Sequence, residues 1–187
     1  MIVIILIVVV VLLVVLGGFV VVGLNKLRGQ SVRVDEAESG IDVQLTRRAE
    51  LIPNLVETVK GYTDHESSTL EAVTAARTAA STASTVEEKA AADAQTTRAL
   101  ANVFAVAESY PELKASQNFQ QLQGELTRTE DNLAFARQYY NDSVATLNKT
   151  MVTIPWSLVV GMSGVHEARF YDAPTGNAAP PQVDFGT

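Results

Sequence analysis

The chain of 187 residues has no cysteine, which excludes a disulfide framework and any thiolate metal site. Histidine is nearly absent, with only His65 and His166. The Glu-x-x-His pairs that build di-iron centres inside helical bundles are missing, because Tyr62 and Ser163 stand where the glutamates would be. Positive charge is in deficit: 14 Lys and Arg face 21 Asp and Glu, for a net charge of −7. That balance speaks against general nucleic-acid binding, which needs a basic face. Charge of either sign is missing altogether from Ile2 to Leu24.

That uncharged stretch is the strongest positive signal. Apart from Gly17, Gly18 and Gly23 it consists of Val, Leu, Ile and Phe. At ~1.5 Å per helical residue it covers roughly 35 Å, enough for a hydrocarbon core of ~30 Å. A cleaved signal peptide needs a basic leader, a shorter apolar core and a small-x-small site. Only Met1 precedes the run and no such site follows Leu16, so the expectation is a retained anchor over residues 1–25. Lys26, Arg28 and Arg33 form a basic juxtamembrane segment over 26–33. By the positive-inside rule they place the following domain in the cytoplasm and Met1 outside, and they mark the membrane interface. The same three side chains can snorkel to lipid phosphates.

About 160 residues remain, enough for one domain with its own core. The periodicity predicts three long helices and no strand. The first runs from Val34 to Ala80, with Val34, Ala37, Ile41, Leu45, Ala49, Ile52, Val56, Val59, Tyr62, Leu70, Val73 and Ala76 on one face. Pro53 should kink or divide it; Gly29 and Ser31 either break the path from the anchor or leave anchor and first helix as one rod. The small residues from Thr78 to Thr85 read as a turn or frayed end. Thr85 and Glu88 have capping-box spacing and open a second helix that ends before Tyr110-Pro111. The third carries Phe119, Leu122, Leu126, Thr129, Leu133, Ala136, Tyr140, Val144, Leu147 and Met151 in a heptad-like seam and stops at Pro155. A short fourth helix follows, with Trp156, Leu158 and Val159 as its apolar face. The expected fold is therefore all-α: a transmembrane helix, then an elongated antiparallel bundle of three long helices plus a short fourth over 34–171. Residues 172–187, rich in Pro, Gly and Ala, read as an extended tail.

Motifs that carry chemistry are missing. Asp64-His65-Glu66 gathers three potential ligands, but neighbours one and two apart diverge on a helix and read as a solvated face. Gly161-Met162-Ser163-Gly164 lacks the lysine and strand-to-helix setting of a phosphate loop, and no G-x-S-x-G elbow occurs. The pairs Glu87-Glu88 and Glu130-Asp131 read as helix surface. Arg47 and Arg48 read as surface or inter-helix ion pairs with Asp42, Glu50 or Glu57, or else as a phosphate or lipid-headgroup site. No catalytic residue, cofactor or metal is expected.

Several blocks resemble the LemA family. They are Ile41-Asp42-Val43-Gln44-Leu45, Arg47-Arg48, Leu51-Ile52-Pro53-Asn54-Leu55-Val56, Val59-Lys60-Gly61-Tyr62 and His65-Glu66. Phe104 to Ala115, Asn118-Phe119, Thr129-Glu130, Ala136-Arg137, Tyr140-Asn141-Asp142 and the tail Val183-x-Phe185 are similar as well. Departures occur at Ile154-Pro155 and Leu24-Asn25, where the family often has an aromatic as the first of the two residues. The resemblance implies a bacterial inner-membrane, single-pass protein with a helical cytoplasmic domain and no agreed enzymatic activity. The leading functional expectation is a membrane-anchored structural protein, with the lipid bilayer and further copies of itself as partners. It would self-assemble through its rods and so shape or organise the bilayer. The alternative is an adaptor or signalling module that docks proteins at a patch of Arg47, Arg48, Asn54, Tyr110 and Lys114.

Overall fold

The computed structural model describes residues 1–63 and 66–171. Asp64, His65 and the tail from Asp172 onward lie outside the described residues, and with them the Asp64-His65-Glu66 cluster as a whole and the Val183-x-Phe185 ending. The described residues are mostly helical, with no strand among them. In chain order the elements are α1 (Ile2–Lys60), α2 (Ser67–Thr82), α3 (Val86–Ala107), α4 (Pro111–Ala115) and α5 (Gln117–Val152). A 3₁₀ turn (Trp156–Val159) and α6 (Val160–Ser163) complete them.

α1 settles the two alternatives at Gly29 and Ser31 in favour of a helix continuous with the apolar run, and Pro53 does not divide it. α1 ends at Lys60, seven residues beyond the proline, and α2 begins at Ser67. Tyr62 therefore leaves the apolar face and is 43% exposed, whereas Leu55 joins the core. The region from Val34 to Ala80 thus supplies two helices rather than one. α4 was not foreseen either: Pro111, which ends the preceding helix pattern, occupies the first turn of a new one, where its missing N–H is not needed.

Other local signals act as their chemistry requires. Thr85 Oγ1 accepts from Glu88 N–H at 3.2 Å and Glu88 Oε2 accepts from Thr85 N–H at 3.1 Å, the reciprocal capping box that opens α3. α6 ends on Gly164 at φ 70°, a left-handed cap that glycine adopts without strain.

The chain divides into two compact units. One contains residues 1–41 and 135–170 and buries Leu27, Val34, Ala37 and Ile41 together with Tyr140, Val144, Leu147 and Val159. Asn148 pins its last segment twice, donating from Nδ2 to the Ala168 carbonyl at 2.8 Å and accepting the Ala168 N–H at 3.0 Å. The Tyr140 hydroxyl donates to the Arg169 carbonyl at 2.8 Å. The other unit contains residues 42–134 and Tyr171 and is built on a continuous core from Ile52, Leu55 and Val59 through Val73, Val103, Leu113, Phe119 and Leu126. Phe104 and Phe119 meet edge to face in it, with centroids 6.1 Å apart. The first stretch of α1 is different: residues 1–18 are exposed throughout, and the helix is long and apolar enough to cross a membrane.

Candidate functional site

Two places gather unusual chemistry, one in each unit. In the 42–134 unit, Arg48 lies three residues after Leu45 and four before Ile52, so its side chain points inward with the apolar stripe. It is 5% exposed. A buried guanidinium needs charged partners, and Arg48 has two: Nη1 lies 2.7 Å from Asp93 Oδ1 and 2.8 Å from Glu130 Oε2. Nη2 donates to Thr97 Oγ1 at 3.0 Å, and the Tyr171 hydroxyl donates to Asp93 Oδ2 at 3.2 Å. One cation on α1 thereby ties together carboxylates on α3 and α5. One turn away on α3, Lys89 meets Asp42 at 2.6 Å. A cavity of about 330 Å³ adjoins this hub, lined by Arg48, Thr97, Leu100, Phe104, Leu126 and Glu130. Its walls are mostly apolar, Arg48 and Glu130 are engaged with each other, and exposed Asp131 stands on its rim.

In the other unit, the turn after α5 packs on the apolar part of α1. Trp156 stacks on Phe19 with centroids 5.9 Å apart and an interplanar angle of 14°. Lys26 Nζ lies 4.4 Å from the centre of the Trp156 ring, within cation–π reach. Arg28 Nε donates to the Ser163 carbonyl at 3.3 Å. Gly23 lets the turn approach closely: a Cβ at this position would stand 2.7 Å from Val159 Cγ2. Val159 is buried there, whereas Leu158, expected on the same face, is 72% exposed.

The residues expected to form an interaction patch are placed differently from one another. Arg48 is interior, so it cannot present its charge at a surface. Arg47 is exposed and pairs with Glu125 at 3.2 Å. Asn54 is exposed. The Tyr110 hydroxyl donates to Glu66 Oε1 at 3.3 Å, and Lys114 pairs with Glu108. Of the three basic residues after the apolar run, Lys26 and Arg28 contact the Trp156–Ser163 segment, and Arg33 is exposed. Glu130, read as helix surface, is a hub member, and Asp93, Thr97, Lys89 and Tyr171 were not singled out. Asp93 could have been found from register, since it falls three residues after buried Ala90 and seven before buried Leu100. Among the described residues no group of three or more His, Asp or Glu is arranged to hold a metal ion.

Comparison with known proteins agrees with the sequence resemblance. The family model described as LemA family matches residues 37–185. The magnetosome protein MamQ of Magnetospirillum gryphiswaldense is 28% identical over 80 residues, which is 42% of this chain and 29% of MamQ. MamQ 1 and MamQ 2 of Paramagnetospirillum magneticum match to the same identity and coverage. The match spans less than a third of the length of each of these curated relatives.

Proposed function

The chain belongs to the LemA family, and we propose that it is a membrane-anchored, non-enzymatic structural protein that self-assembles through its helical faces and thereby organises or shapes the bilayer. Membrane anchoring is supported by the family match together with the N-terminal apolar helix. Neither the family nor the matched relatives are known enzymes.

The observation that carries the assembly reading is the clasp between Phe19, Gly23 and Lys26 on α1 and Trp156 and Val159 after α5. A domain that merely needs tethering can hang from a flexible linker. Here the apolar helix continues into the folded region without a break and is gripped near its end. A rigid joint of this kind lets lateral packing of domains be felt by the bilayer. Phe135 and Tyr139 on α5 support the same reading: they lie four residues apart on one helix face and are 76% and 54% exposed. Lys26, Arg28 and Arg33 support a cytoplasmic domain by the positive-inside rule.

Crosslinking of the full chain in intact membranes, with a photoreactive residue at Phe135, tests assembly. A ladder extending beyond the dimer is expected, and a product confined to monomer overturns the reading. Protease added to right-side-out vesicles tests orientation: the domain should survive, and its digestion would reverse the assigned topology. An adaptor role through Arg47, Asn54, Tyr110 and Lys114 has less support, because Arg47, Tyr110 and Lys114 are already engaged within the chain.

A further inference from the structure

Beyond the apolar run, the largest group of exposed apolar side chains close together in sequence among the described residues starts at the last residue of α5. Val152, Ile154, Leu158 and Met162 are 79%, 78%, 72% and 63% exposed. Four large apolar groups within eleven residues are not left to water without a covering partner. The chemistry around them identifies that partner. Trp156, in their midst, stacks on Phe19, which belongs to the apolar run and precedes Lys26 by seven residues, about 10 Å along the helix. The segment therefore stands at the depth of the last turns of the candidate span. Its charge is equally selective. Although the chain has 21 Asp and Glu, none lies between Asp142 and Glu167, and none precedes Asp35. Three cations stand at this end of the unit: Lys26 over the Trp156 ring, Arg28 bonded to the Ser163 carbonyl, and exposed Lys149 in the last turn of α5. Exposed Glu167, beside the Ala168 backbone that Asn148 binds, is a carboxylate near Lys149.

We propose that the segment from Val152 to Met162 is a second membrane contact, embedded beside the span at the boundary between headgroups and acyl chains. Ile154, Leu158 and Met162 enter the acyl region, and Lys26 and Lys149 face anionic headgroups. Trp156 takes the interfacial level that tryptophan favours, with its ring against apolar surface and a cation. The contact rests on the anchor reading above and adds to it a patch of this chain that meets lipid and holds the end of α5 at the bilayer.

The chain has no cysteine, so a single introduced one carries one label. Full-length Ile154→Cys, Leu158→Cys and Met162→Cys, with Glu36→Cys as an exposed reference, are labelled with an environment-sensitive fluorophore. They are reconstituted into phosphatidylcholine vesicles containing phosphatidylglycerol, with iodide on both sides. Blue-shifted emission is expected at all three positions, with quenching by lipids brominated high on the acyl chain and severalfold weaker iodide quenching than at position 36. Flotation with the vesicles but full iodide access at 154, 158 and 162 overturns the proposal and leaves the anchor standing. Shielding from iodide without quenching by brominated lipid means that protein, such as a second copy, covers the patch, and also overturns it. A chain that does not float with vesicles removes the anchor and this contact together.

Discussion

Arg77 Nε donates to the backbone carbonyl of Ala49 at 3.1 Å. That carbonyl is the one Pro53, lacking an N–H, leaves without its helical donor four residues on. A side chain on α2 thus supplies the bond missing from α1, which helps explain why α1 crosses the proline and ends only at Lys60. Loss of Arg77 should therefore depend on what occupies position 53. In the native background Arg77→Ala is expected to destabilise by about 1 kcal/mol. In a Pro53→Ala background, where residue 53 donates its own N–H, the loss should shrink toward zero. Urea unfolding of the full chain in detergent micelles, followed by helical circular dichroism, gives the double-mutant cycle. Equal losses in both backgrounds would mean that Arg77 acts elsewhere.

The Arg48 hub makes a second prediction. Arg48→Met leaves Asp93, 3% exposed, as an uncompensated carboxylate with Glu130 beside it. Removing one partner of a buried ion pair costs about 3–5 kcal/mol, mainly because the other charge is stranded. Adding Asp93→Leu removes the deepest stranded charge, and side-chain exposure of 37% lets Glu130 reach water. The double variant should regain much of the lost stability in the same urea assay. If it is no more stable than Arg48→Met alone, the hub is not held by this charge pairing.

The all-helical class and several helix ends were legible because their signals are local, whereas the α1–α2 division and α4 were not. Stripes at three and four residues, the Thr85–Glu88 box and the stops before Tyr110 and Pro155 are each written within a few adjacent residues. Family membership was legible for the same reason, in runs such as the one from Ile41 to Tyr62. What escaped depends on partners distant in sequence. Pro53 reads as a break until Arg77, 24 positions on, is seen to serve Ala49. Arg48 reads as either a surface or an inter-helix ion pair, with nearby Asp42, Glu50 or Glu57 as partners, until Asp93 and Glu130 are brought to it, although its place between Leu45 and Ile52 already pointed inward. Leu158 reads as core, but close packing at Gly23 selects Val159 for that position and turns Leu158 outward.

Glu88 yields a pH prediction. Its carboxylate accepts the backbone N–H groups of Ser84 and Thr85 at 2.8 and 3.1 Å and the Ser84 hydroxyl at 2.9 Å. These donors favour the charged form and hold its pKa below the ordinary glutamate value, the Ser84 backbone bond contributing most. A carboxyl whose pKa is lowered on folding stabilises the fold above its unfolded-state pKa, and that contribution fades as pH falls through the depressed value. Glu88→Gln should therefore be less stable than the native chain at neutral pH, and the two should converge on acidification. Parallel thermal melts across the acid range give the comparison, and a gap of constant size at every pH would rule out the ionised cap.

The glycines of α1 supply a graded test of the clasp. At Gly17 and Gly18 an added Cβ meets nothing within 4 Å, so alanine there should only improve helix propensity, by up to about 1 kcal/mol. At Gly23 the same Cβ would come within 2.7 Å of Val159 Cγ2, and Val159 is both β-branched and 2% exposed. A branched, buried neighbour has no free rotamer into which to retreat. Gly23→Ala should therefore push the 156–159 turn away from α1, with overpacking of about 1–3 kcal/mol outweighing the helix gain. Gly23→Leu should separate them further. Trp156, the single tryptophan, reports this directly, because its stacking on Phe19 and the position of Lys26 over its ring are lost as the turn moves. A change in Trp156 emission with Gly23→Ala and Gly23→Leu, but not with Gly17→Ala or Gly18→Ala, is the expected pattern. Unchanged emission in all four would mean that the turn does not grip the helix at Gly23.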